Sequence, residues 1–228
     1  MVMDNESSSS PQAQALQSFA LEDDLLRELF PKNGFVFLLG LNSSRLGQPD
    51  GTGQPVGLVE AIRKELFLRK GNDRPECFRS FILPSHIQDD MQAMLKEVLH
   101  GHGTVYSILR GSGVHGVVRF WKVTPDVTAF LEFTRLIVHQ RAVPGVDGKP
   151  VLLREWVSLD EFDAHTLMNL PSQAWAPFLR DRTNGPGGRS LLQSLVSAHH
   201  AGLIDATVLK RISDEIAWID RFQVEAHT

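Results

Sequence analysis

The residues of this 228-residue chain that could do chemistry are nine histidines, a single cysteine and scattered carboxylates. Metal binding needs several ligands converging on one point, commonly His at i and i+4 of a helix or His beside carboxylates. No His-Glu-x-x-His occurs. His100 and His102 flank Gly101, His115 lies in an apolar stretch, and His199-His200 are adjacent. Adjacent helical side chains point about 100° apart, so such a pair rarely reaches one ion. His100 and His199-His200 sit instead at the ends of predicted helices, where the dipole favours a basic group. No metal site is expected.

Nucleophilic and phosphate chemistry find no pattern either. There is no Gly-x-Ser-x-Gly elbow, and Cys77 has no activating neighbour in sequence. Thr183–Ser190, Ser43-Ser44-Arg45 with Asp50–Gly53, and Gly111-Ser112-Gly113 are Gly-rich, yet none carries Gly-x-x-x-x-Gly-Lys-Ser/Thr. They read as a linker and turns. If the chain is an enzyme, its site assembles from distant residues around His102, His115 and Arg119. No catalytic residue and no cofactor is assigned from sequence.

The elements that would position these residues are easier to read. Residues 1–12 form a polar leader expected to be disordered. Apolar periodicity predicts helices over 13–30, 56–70 and 85–100, the last capped by Ser85. Phe35–Leu39 is apolar at every position, as a central buried strand would be. Cys77–Leu83 is a further candidate strand. Past Leu159, short helices are expected at Leu159–Phe162, with Asp160 as cap, and at Ser172–Arg182. Thr183–Gly188 reads as a linker, and helices at Ser190–Ala201 and Asp205–Phe222 join through Gly202 and Asp205 as an αα-hairpin.

Between Thr104 and Leu159 lie four β-branched or apolar runs: Thr104–Arg110, Val114–Val123, Phe130–Gln140 and Val151–Leu159. The turn Pro144-Gly145-Val146-Asp147-Gly148-Lys149-Pro150 separates the last two, and the whole stretch predicts an antiparallel meander. The segment Ile82-Leu83-Pro84-Ser85-His86-Ile87-Gln88-Asp89-Asp90, with Met94–Leu99 after it, resembles the Pro–Asp signature and helix of PAS domains. Phe133–Ser158, centred on Val146–Val151, is similar to that family's last hairpin. The resemblance covers about residues 77–160. It implies a small sensory fold, a ligand between the sheet and helices 56–70 and 85–100, and dimers formed through flanking helices. Pro75–Phe81 lacks the Asn, Arg and Gln of the flavin-binding light sensors in that group, so Cys77 is expected to be inert.

The fold expectation is therefore α+β: an antiparallel, PAS-like sheet of about five strands flanked by helices. An α+β domain at 13–182 is followed by a C-terminal helical hairpin at 189–228, docked on the domain or on a partner. Leu209, Ile212, Ile216, Trp218 and Phe222 are the expected partner-binding residues. The expected function is a non-enzymatic cytoplasmic regulatory, sensor or scaffold module that binds a protein partner or small ligand, or self-associates. A formal charge of −4 argues against nucleic acid. A nucleoprotein subunit would use Arg135, Arg141, Lys149 and Arg154 along one hairpin. The longest apolar run, Phe35–Leu41, is too short to cross a bilayer.

Overall fold

Phe35 to Leu39 are fully buried on both faces, the environment of a central strand with crossovers on either side. The computed structural model describes residues 29, 31, 33–40, 77–80, 95, 96, 98–100, 104–109 and 113–225. The leader, the helix expected at 56–70, and most of the helices at 13–30 and 85–100 lie outside these residues. The described part of the last is helical, with Leu95 and Val98 buried.

Among the described residues, the sheet has six strands: β1 (Gly34–Leu39), β2 (Cys77–Ser80), β3 (Thr104–Leu109), β4 (Thr134–Pro144), β5 (Pro150–Ser158) and β6 (Gly188–Arg189). Their spatial order is β2-β3-β1-β4-β5-β6. β1 runs parallel to both β3 and β4, and β2 runs parallel to β3. β4 and β5 form a hairpin, closed at its tip by Gly145 N–H to Lys149 O and at its base by Leu159 N–H to Arg135 O. β6 pairs antiparallel with β5. The sheet is mixed, and its parallel half contradicts the antiparallel PAS-like sheet expected from sequence. The 110–133 connection carries the chain from β3 past β1 to the parallel β4, a crossover of the dozen residues or more that parallel strands need.

That connection holds the main misreading. Val114–Val123 is not a strand but a 3-10 turn, Val114–Gly116, running into α1 (Val117–Val123). Val114, Val117, Val118 and Trp121 are buried while Arg119, Lys122 and Val123 are exposed. That spacing is helical, and it overrides the β preference of valine. The run expected from Phe130 likewise begins as α2 (Val127–Phe133) before turning into β4 at Thr134.

The chain divides into two compact units. One comprises residues 29–141 and 154–191. In it Phe35, Phe37 and Leu39 pack with Phe120, Phe130, Val114 and Trp121. The Phe35 and Phe130 rings stack at 4.8 Å, and Trp121 meets Trp175 edge to face at 6.0 Å. α3 (Glu161–Asn169) opens on a capping box between Asp160 and Asp163, and Asp163 also accepts from Arg182 at 2.7 Å on α4 (Trp175–Thr183). The expected linker at 183–188 ends in β6: Ser158 N–H bonds Gly187 O, and Arg189 lies over the Trp156 ring.

The other unit, among described residues, comprises the hairpin tip, 142–153, with 192–225. It contains most of α5 (Leu191–His200) and all of α6 (Ala206–Glu225). Gly202 takes positive φ after α5, and Asp205 caps α6 by accepting from Val208 N–H at 2.8 Å. Val143, Leu153, Leu195, Ala198, Ala201, Ile204 and Ile212 are its buried apolar residues. The tip is tied in by Val146 N–H to Leu203 O, 3.0 Å.

Candidate functional site

In an open sheet with parallel strands, ligands bind outside the carboxyl ends where the strand order reverses. Here that point is β1. From β1 the chain builds β2 and β3 on one side, then crosses back to place β4 on the other. Leu39, the last residue of β1, pairs with Leu109 on β3 and with His139 on β4. The hairpin register set by Arg135 and Leu159 puts Glu155 of β5 opposite His139. One row at the sheet's edge therefore reads Leu109, Leu39, His139, Glu155.

The polar half of this row is internally engaged. Glu155 Oε2 accepts from Val114 N–H at 3.0 Å, the first amide of the 3-10 turn, and lies 3.3 Å from His139 Nδ1. The ring N–H direction is poor, so this second contact is a close approach of carboxylate and imidazole and not a hydrogen bond. Both side chains are mostly buried. Gly40 follows β1 with φ +74, and a Cβ there would lie 2.7 Å from His139 Cδ2 and would also strike the Gln140 carbonyl. Only glycine permits this approach. Chemically, the arrangement places an imidazole and a carboxylate beside the end of β1.

The residues singled out from sequence are distributed differently. His115 is half-buried and folds back over Gly113, Arg119 is exposed on α1, and His102 lies outside the described residues. Of the hairpin cations, Arg135 donates to the Glu132 and Thr134 carbonyls, Arg141 and Arg154 have partners too, and Lys149 is exposed. Of the C-terminal set, Ile212 is buried, Leu209 and Ile216 are half-buried and Trp218 is 58% exposed; the Phe222 side chain is not among those described. A shallow open depression on α6 is lined by Ala206, Thr207, Lys210, Arg211 and Asp214. Among the described residues, no group of three His, Cys, Asp or Glu could hold a metal ion.

Sequence reading missed His139 and Glu155 because an apolar run hides them. A usable signal existed: they stand eight residues either side of Asp147, the centre of the predicted turn, so a symmetric hairpin must pair them.

No family model matches the chain, and no curated protein matches it in sequence. Solved structures do match. The ATPase DotB of Legionella pneumophila aligns with 21% identity and a TM-score of 0.64, over 88% of this chain and 66% of its own. DotB of Yersinia pseudotuberculosis gives 17% and 0.59, over 87% and 62%; the pilus retraction motor PilT with bound ADP gives 14% and 0.52, over 82% and 63%. The fold is that of these ATPases. The chain spans a little under two thirds of the length of each. These likenesses overturn the PAS resemblance, and with it the non-enzymatic signalling module that the resemblance implied. No helix among the described residues is long and apolar enough to cross a membrane.

Proposed function

We propose that this chain is a motor-type ATPase-like domain, acting in an assembly that moves a protein fibre such as a pilus. The observation that carries the reading is the fold, a mixed sheet with β1 between β3 and β4, in a chain that aligns with the ATPase DotB over 88% of its length at a TM-score of 0.64. A PilT structure with the same fold carries ADP, which supports the ATPase-like reading of the fold. Motors of this kind act on other proteins, so self-association and a cytoplasmic location fit the reading. Trp218, exposed on α6, is a candidate anchor for a second copy within the expected C-terminal partner-binding set.

The test is deletion of the gene in its native host, with pilus extension and retraction followed by fluorescence microscopy. Loss or slowing of fibre movement, restored by the wild-type copy, is the expected result. Unchanged fibre dynamics rejects the reading. Light-scattering mass should rise above the 25.4 kDa monomer with concentration, and a strict monomer removes self-association from the proposal.

A further inference from the structure

A phosphate-binding loop follows a strand, leads into a helix, and cradles the phosphates with backbone amides. Its pattern, Gly-x-x-x-x-Gly-Lys-Ser/Thr, has a separable role for each residue type. The glycines let the backbone approach, the lysine reaches the β and γ phosphates, and the hydroxyl holds magnesium. In this chain β1 ends at Leu39 on the switch point, and Gly40 follows with positive φ. Counting from Gly40 as the first glycine, Arg45 stands where the second glycine belongs, Leu46 where the lysine belongs, and Gly47 where the hydroxyl belongs. The pattern is not displaced to another site. Lys32, Lys64, Lys70, Lys96, Lys122, Lys149 and Lys210 are followed by Asn, Glu, Gly, Glu, Val, Pro and Arg, so no lysine precedes Ser or Thr.

The described edge of the sheet points the same way. Its row is apolar at Leu109 and Leu39, and it ends in the mostly buried carboxylate of Glu155. That carboxylate already takes the Val114 amide, a donor that would otherwise be open to an anion. A buried negative charge disfavours a polyphosphate, because the low local dielectric strengthens repulsion. An arginine at position 45 does not substitute for the missing lysine. In sequence it falls where the pattern calls for a residue without a side chain.

We infer that this chain has lost the phosphate chemistry of its fold: it does not hold a nucleoside triphosphate beside Gly40, and the replacements at 45, 46 and 47 account for the loss. This rests on the motor-type ATPase-like reading. Nucleotide turnover in the assembly then falls to subunits that carry the full pattern.

The experiment titrates the full-length wild-type chain and the triple variant Arg45→Gly, Leu46→Lys, Gly47→Thr with a fluorescent ATP analogue and magnesium. Circular dichroism checks folding, and Arg45→Gly with Leu46→Lys serves as a second restored form should the triple variant fail to fold. The expected result is binding by a restored form at least about 100-fold tighter than by wild type, the scale of a few charge-assisted hydrogen bonds. Wild-type binding as tight as that of the restored form overturns the inference and leaves the motor-type reading standing. Silence from a folded restored form overturns both, since the end of β1 would then not be a phosphate site at all.

Discussion

Gly40 is the residue on which the edge of the sheet depends most directly. Its backbone is left-handed, and a methyl group would meet the His139 ring and the Gln140 carbonyl together. Left-handed geometry costs a non-glycine residue about 1–2 kcal/mol, and forcing extra volume into a packed site costs about 1–3 more. Gly40→Ala should therefore lower unfolding free energy in urea by about 2–5 kcal/mol. Trimming the imidazole cannot repair it, because the carbonyl belongs to the backbone. The double variant Gly40→Ala, His139→Ala is expected to be no more stable than Gly40→Ala alone; a clear rescue would show that the ring, and not the strand, sets the limit. Gly40 was visible in the sequence only as the end of an apolar run. Its role depends on a parallel neighbour contributed by residues 134–144, which no local pattern announces.

Among the elements, legibility followed the range of the forces that shape each one. α3 was readable, because Asp160 and the residues it caps are neighbours in sequence. The αα-hairpin at 201–205 was readable for the same reason, and so was the β4–β5 turn with its Asp147-Gly148 pair. α1 was not: its valines have strand preference, and only its buried face, with Phe120 against Phe37 and Trp121 against Trp175, decides for helix. Strand direction was also out of reach, being set by which strands flank β1. The capping box of α3 gives a prediction at this scale. Asp163 is buried, accepts from Asp160 N–H at 3.2 Å, and receives Arg182 at 2.7 Å. Asp163→Ala removes a cap contact worth about 1 kcal/mol and strands a partly buried guanidinium, for a total of about 2–3 kcal/mol. A double-mutant cycle with Arg182→Ala should show positive coupling between the two positions. Strict additivity in chemical unfolding would mean that Arg182, a third exposed, is satisfied by solvent.

At the scale of the whole molecule, the sequence suggested a break near Thr183–Gly188, while the compact units follow contacts instead of chain order. A hairpin tip at 142–153 groups with helices that begin some 40 residues later, and the bond from Val146 N–H to Leu203 O is part of the reason. Grouping of this kind cannot be seen from composition, since it joins segments with no shared local pattern. It has a measurable consequence in hydrogen exchange, which reports cooperative units by their separate opening free energies. Ile212 on α6 is almost fully buried, and truncating such a residue costs about 2–5 kcal/mol. Ile212→Ala should therefore lower protection of the amides of Val143, Leu195 and Leu209 by a common amount. The amides of Phe35, Phe37 and Ile137, whose side chains pack in the other unit, should keep wild-type protection. Equal loss across both sets would mean that the chain opens as one cooperative body, and that the hairpin tip and the C-terminal helices have no stability of their own.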